Sequence, residues 1–268
     1  MKILACLKQV PDSNARLAPA SRPGWGLIEE DNVAFVANEF DLYALEAALQ
    51  LKDADPSAEI VVACAGPERA KAAVRKALAM GADSGVHLLD PAFAGGDAWS
   101  NALALAAVAR AEGPFDLVFA GLQAWDDSFG QTGPLLAEHL GMPCATGVMT
   151  WSLEGAGMKV ERELDGDRRE SVHLPLPCVL TFQTGAGGKA PRYENIKGIM
   201  AAKKKIVKSP TPGELGLAPG DVGSAGARLT VSRVAEPPRQ VGAEMLTGSA
   251  ADVAREIVKR MREKTGLV

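Results

Sequence analysis

Residues 115–143 read FDLVFAGLQAWDDSFGQTGPLLAEHLGMP, and the reading of the fold starts there. The run 117–120 is apolar and too short for a helix, which predicts a strand buried on both faces of a parallel sheet. A loop follows that holds Gly121, Gln123, Ala124, Asp126, Asp127, Ser128, Phe129, Gly130, Gln131 and Thr132. Pro134 then opens a periodic segment, Leu135, Leu136, His139 and Leu140, closed by Gly141 and Pro143. Proline near a helix start and glycine at its end are the usual asymmetry of helix termini. Strand, polar glycine-bearing loop and helix is how open α/β sheets bind nucleotides, because unpaired N–H groups at the helix start attract phosphate. The plain alternative is an ordinary βα loop.

The same alternation extends upstream. Residues 3–7 predict a first strand, with Lys8 to Asp12 as its exit, and residues 16–31 form a Pro- and Gly-rich excursion. Asn38 stands as an N-cap with Asp41 in the first turn, before a helix whose Leu42, Leu45, Ala48 and Leu49 share a face. Strands at 59–65 and 86–89 flank a helix at 68–80 closed by Gly81, and Asp97 caps a helix at 98–112. Downstream the texture changes: runs at 149–153, 159–164 and 170–174 predict strands, the last two joined by the hairpin signal Asp165-Gly166. Residues 177–182 are a further apolar strand able to return to the main sheet. The expected fold is α/β: a mostly parallel, doubly wound Rossmann-like sheet with helices on both faces, a β-hairpin region and an extended C-terminal arm.

The expected domains are 1–208, the nucleotide-binding α/β unit, and 209–268, a linker and arm. Residues 209–226 are Pro/Gly-rich and predict the linker; 228–234 predict a strand, interrupted at Glu236, Pro237 and Pro238. A last helix, 249–264, carries Val253, Ile257, Val258 and Met261 on one face. So few elements bury little core of their own, so the arm should pack on the main domain or on another chain.

Composition narrows the class. The chain has 268 residues, 47% hydrophobic and 23% charged, with a net charge of −4. That describes a globular protein and argues against general nucleic-acid binding. No apolar run reaches the length of a membrane span, and Lys8 follows an apolar run too short for a secretory signal. Cys6, Cys64, Cys144 and Cys178 are isolated in or beside apolar segments, which predicts reduced buried thiols and a cytoplasmic location. His87, His139 and His173 lack metal-ligand spacing, and no nucleophile elbow or Cys-His constellation stands out. Gly185 to Lys189 fails the phosphate-loop pattern at Gln183 and Ala190. Asp126 and Asp127 are adjacent, so they should point apart and serve in capping or ribose contacts rather than share a proton. The expectation is a binding protein without catalytic residues of its own.

Several segments taken in order resemble the beta subunit of electron-transfer flavoproteins over almost the whole chain. They are KQVPD at 8–12, NEFD at 38–41 with the ALEAALQLKD helix, Gly66-Pro67 before RKALAMGAD, and the central GLQAWDDSFGQTG. VERELDGD and LPLPCVLT, then PRYENIKGIMAAKKK at 191–205, complete the pattern.

The resemblance implies a heterodimer with an alpha subunit that holds most contacts to a redox FAD. It also implies a second nucleotide in this subunit: AMP in respiratory-type members, or a second FAD that oxidises NADH in electron-bifurcating ones. The implied cofactor site uses Cys6, Asn38, Glu39, Phe40, Asp41, Ala65, Gly66 and the loop residues named above from Gly121 to Thr132. Phe40 is implied to approach the alpha subunit's flavin. Pro191, Arg192, Tyr193, Ile196, Ile199 and Met200 match a recognition loop for acyl-CoA dehydrogenase-type donors. The implied acceptor is a quinone oxidoreductase, with neighbouring lysines steering acidic surfaces. The arm is implied to reach over the alpha subunit. Gly130 stands where respiratory members often carry Asn, while Asp126-Asp127-Ser128 and Gln131-Thr132 differ from the bifurcating pattern. Residues 92–97, AFAGGD, look more like the bifurcating group, so the loop is mixed, with AMP the preferred ligand. From another class, a standalone nucleotide-binding sensor module with a universal-stress-type sheet accounts for the sheet but not for the arm or the docking segment.

Overall fold

The computed structural model describes residues 1–19, 28–235 and 242–266. The chain runs β1 (Lys2–Leu7), β2 (Gln9–Pro11), β3 (Phe35–Ala37), α1 (Glu39–Ala54), β4 (Glu59–Ala65), α2 (Lys71–Met80), β5 (Ser84–Leu88), α3 (Ala98–Glu112), β6 (Leu117–Gly121) and α4 (Thr132–Leu140). It continues with β7 (Cys144–Glu154), β8 (Gly157–Leu164), β9 (Arg168–Pro175), β10 (Cys178–Phe182), α5 (Ile196–Ala202), β11 (Val207–Lys208), α6 (Gly223–Gly226) and α7 (Ala250–Thr265). The main sheet has the order β11-β5-β4-β1-β6-β10-β7-β8-β9. Every pairing from β11 to β7 is parallel, and β8 and β9 add antiparallel strands at one end.

Two apolar layers follow from the two-residue period of the strands. In β1, Ile3, Ala5 and Leu7 join a cluster with Ala44, Leu45 and Leu49 of α1 and Val74 and Leu78 of α2. Leu4 and Cys6 face the opposite layer, with Leu105 and Val108 of α3 and Leu136 of α4. Helices therefore cover both faces, as expected for a doubly wound sheet. The strand at 178–182 does return to the main sheet, inserting between β6 and β7.

Three local readings change. Residues 209–226 hold a turn of 3-10 helix at Gly213–Leu215 and the short α6, and Val222 is fully buried in the α3–α4 layer. Proline and glycine there shape packed turns rather than a free linker. Residues 228–234 form no strand: Arg228 N–H and Leu229 N–H donate to Asp97 Oδ2 at 2.7 and 2.9 Å, and the Arg228 guanidinium stacks on Trp99 at 3.3 Å. The interruption expected at Glu236 to Pro238 lies outside the described residues, as do residues 20–27 of the early excursion. β7 begins at Cys144, earlier than the alternating run starting at Met149 suggests.

The chain forms two compact units, Met1–Val234 and Ala235–Val268. In the second, Ser249 caps α7 by accepting from Asp252 N–H at 3.2 Å, and Arg260 bridges Glu244 and Glu256, each at 2.7 Å. Among the described residues no helix is long and apolar enough to cross a membrane.

Candidate functional site

The site begins where two strands part. The β1–β6 ladder ends at Ala5↔Phe119, while β1 stays with β4 to Leu7↔Cys64 and β6 stays with β10 to Gly121↔Phe182. The strand order reverses at β1, and the diverging carboxyl ends open a crevice where α/β sheets place ligands.

Asp41, in the first turn of α1, lies across that divergence. Its Oδ2 accepts Lys8 N–H at 2.7 Å and its Oδ1 accepts Gly121 N–H at 3.0 Å. The side chain is buried, and burial pushes its pKa up to about 7 against the opposing pull of these N–H groups, Asn38 and the Lys8 charge. Asn38 stands at the N-cap position of α1 but does not cap the helix. Instead its Oδ1 accepts Trp125 N–H at 3.2 Å and its Nδ2 donates to Gln123 O at 2.9 Å, so both its polar atoms hold the loop after β6.

That loop is also tied by charge. Lys8 Nζ donates to Asp126 Oδ1 at 2.6 Å and to Asp127 Oδ2 at 2.8 Å. The two aspartates, expected to point apart, converge on one ammonium. Burial alone would lower the Lys8 pKa, yet Asp126 and Asp127 outweigh it and raise it. Asp127 Oδ1 also accepts Phe129 N–H at 3.1 Å, and the chain turns through positive φ at Ser128 (55°) and Gly130 (62°). Gln131 and Thr132 then deliver the chain into α4, whose first N–H groups have no intrahelical acceptor. A phosphate at that end would meet those amides.

The remaining expected residues flank the same edge. Cys6 and Cys64 are buried thiols, and burial with the nearby Asp41 charge raises both, Cys64 to about 12. Both are therefore protonated at neutral pH. Ala65 ends β4 and Gly66 follows it, with Gly66 N–H donating to Leu88 O at 3.2 Å and Gly66 O facing His87 Nε2 at 3.0 Å. Glu39 is exposed, and Phe40 is buried with the half-exposed Trp125 ring beside it at 5.9 Å. Trp125 lies within the expected loop, while Lys8 and His87 stand beside the site and were not among the expected residues. For Lys8 a signal existed: a cation directly after a buried strand, facing an acidic loop at the same sheet edge.

Residues 191–200 form a separate surface. Arg192, expected at a partner contact, fastens the segment to α1: its guanidinium holds Glu46 at 2.9 and 3.0 Å and Asp53 at 2.7 Å. Pro191 is half-buried beside it. Asn195 caps α5 by accepting Gly198 N–H at 2.8 Å, and α5 packs on α2 so closely that a Cβ at Gly198 would lie 2.2 Å from Ala79 O. Clamped in this way, the segment presents Tyr193 (90% exposed), Ile196 (82%), Ile199 and Met200 outward.

Comparison with known proteins agrees with this architecture. The family profile described as electron transfer flavoprotein domain matches residues 26–214. The caffeyl-CoA reductase-Etf complex subunit CarD of Acetobacterium woodii is 36% identical over 266 residues, 98% of this chain and 99% of its own. The electron transfer flavoprotein subunit beta of Thermoanaerobacterium thermosaccharolyticum is 36% identical over 267 residues, 98% of this chain and 99% of its own. That of Methylophilus methylotrophus is 34% identical over 242 residues, 89% of this chain and 90% of its own. With the crevice at β1 and β6 and these full-length matches together, the chain belongs to the electron transfer flavoprotein family, on its beta-subunit side.

Proposed function

We propose that the chain is one half of a heterodimeric electron carrier. An alpha subunit holds the redox FAD, and this chain completes its surroundings and binds AMP in the crevice between β1 and β6. Electrons pass from acyl-CoA dehydrogenase-type donors to a quinone oxidoreductase-type acceptor. The observation that carries the reading is the loop 121–132. Asn38 and Lys8 fix it over diverging strand ends, and it feeds a helix N-terminus, which makes a nucleotide cradle rather than a reaction centre. The outward apolar set Tyr193, Ile196 and Met200 supports docking of a transient partner.

A second reading assigns the crevice a second FAD that oxidises NADH. Gly130 places no side chain at the loop's left-handed turn, and a match to a subunit of a caffeyl-CoA reductase-Etf complex supports it.

Co-expression with an alpha-type chain, acid extraction and chromatography separate the two. One FAD and one AMP per dimer are expected; two flavins without AMP establish the second reading. A stable monomer with no affinity for any alpha chain sinks both.

A further inference from the structure

The parting of β1 and β6 leaves two backbone donors that the sheet does not satisfy. Lys8 N–H and Gly121 N–H lie beyond the last β1–β6 pair, Ala5↔Phe119. Each points at one oxygen of the same carboxylate, Asp41, at 2.7 and 3.0 Å. Gly121 approaches so closely that a Cβ would sit 2.4 Å from Asp41 Oδ1 and 2.6 Å from Phe40 Cβ. Both Asp41 oxygens are thus engaged by backbone, and the side chain is 7% exposed. A buried group in that state acts on a ligand through the backbone it holds, not by touching it.

We infer that Asp41 is the positioning residue of the nucleotide site: it bolts the ends of β1 and β6 across the switch point and so sets the shape of the cradle they form. This rests on the nucleotide reading given above. The bolt reaches the loop through its two ends, since Lys8 carries Asp126 and Asp127 on its ammonium and Gly121 begins the loop itself. Asn38, three residues before Asp41, holds the same loop at Gln123 and Trp125. One stretch, residues 38–41, therefore fixes both strand ends and the loop between β6 and α4.

The bolt should also sense pH. The titratable groups facing Asp41 are Lys8 from the exit of β1, Cys6 of β1 and Cys64 of β4; the thiols are neutral near pH 7, and Asp126 and Asp127 offset the Lys8 charge. Protonation of Asp41 replaces one acceptor with a donor, leaving Lys8 N–H or Gly121 N–H facing a hydroxyl.

The test uses the full-length chain. Amide exchange, corrected for intrinsic rates, reports on Lys8 and Gly121 in wild type between about pH 8 and about pH 6 and in Asp41→Asn. AMP affinity is measured on the same samples. Protection of both amides should fall about tenfold on acidification and in the variant, and AMP should bind about tenfold more weakly in each case. The phosphate's own ionisation acts equally on wild type and variant, so the difference between their pH profiles isolates Asp41. Unchanged protection overturns the bolt. Lost protection with unchanged AMP affinity overturns the positioning role and leaves the nucleotide reading standing. Wild type that protects both amides yet binds neither AMP nor FAD overturns the nucleotide reading and supports the bolt alone. If Asp41→Asn does not fold, the change in amide protection on acidifying wild type still decides the bolt, and adenosine, which carries no phosphate to titrate, replaces AMP in the affinity measurement.

Discussion

Gly121 shows how tightly single residues are constrained here. Besides Asp41 Oδ1 and Phe40 Cβ, a Cβ at Gly121 would meet Asp41 N at 2.8 Å, and none of these belongs to the free end of a flexible chain. Gly121→Ala should cost about 1–3 kcal/mol, read as a lower midpoint in urea unfolding at unchanged m-value. Asp41 yields a second prediction, with a sign that runs opposite to the usual aspartate. Its pKa in the fold is raised from 3.8 to about 7. The stability it contributes is full below the unfolded value and is lost as pH rises through about 7. Wild type should therefore lose up to about 1.4 kcal/mol per pH unit between about pH 5 and pH 7 from this group, and Asp41→Asn should remove that slope. Parallel denaturation series on the two proteins check it; an unchanged slope assigns the linkage elsewhere. Fold stability and site geometry then favour opposite protonation states of one carboxyl. The sequence makes Asn38 and Asp41 visible as polar residues at a helix start, but their partners sit some 80 positions away in the chain, at Gly121, Gln123 and Trp125. Local pattern reads a cap; only the folded topology shows a bolt.

At the scale of elements, what could be read depended on whether the cause was local. Strands β1, β4, β5 and β6 are apolar runs bounded by turn residues, so they are plain in the sequence. The place of β10 between β6 and β7 is not, because strand order is decided by helix crossovers rather than by any one segment. Residues 228–234 alternate like a strand, yet Leu229 and Val231 are half-exposed, and the start of the segment is held by Asp97 and Trp99 rather than by strand pairing. Resemblance singled out residues 191–200 as a docking segment, but not the structural task of Arg192 within it. Arg192 belongs with Glu46, which is 5% exposed, and losing the guanidinium leaves that carboxylate without its cation, with only Arg192 N–H and Gln50 Nε2 still donating to it. Arg192→Ala should destabilise by about 1–3 kcal/mol, less than a fully buried pair because Arg192 itself is partly solvated, and should open residues 191–200 to limited proteolysis. Ile196→Ala should leave stability within about 0.5 kcal/mol, since the side chain touches mostly water, while slowing reduction of the alpha subunit's flavin by an acyl-CoA dehydrogenase. Thermal unfolding and stopped-flow reduction on both variants distinguish the fastener from the contact. If Ile196→Ala reduced at wild-type rate, the segment would not be the donor's docking site.

For the molecule as a whole, the decisive fact is where the core ends. Both buried clusters draw their last member from the first unit: Ala202 in one layer and Val222 in the other. Among the described residues nothing after Gly223 is buried. The second unit offers the opposite picture, a 16-residue helix whose Ile257, Val258 and Met261 are 45%, 48% and 57% exposed, and whose Arg260 pairs with Glu256 on the helix and with Glu244 ahead of it. Such a helix has little reason to be stable by itself, and covering each of those side chains on a partner would contribute roughly 1–2 kcal/mol. A chain ending at Val234 should therefore keep the doubly wound sheet, unfolding within about 3 °C of the full-length protein by calorimetry. It should still protect the Lys8 and Gly121 amides, because every group of that bolt lies before residue 122. What it should lose is affinity for the alpha subunit, by about a hundredfold if two of the three side chains are buried there. A truncated chain that melts far below the parent would place part of the stabilising core in the arm, and one that pairs at full affinity would show the arm is not the grip. That outcome would separate two tasks in this sequence: residues up to 234 would build the proposed nucleotide crevice unaided, and the last stretch would hold a second chain against it.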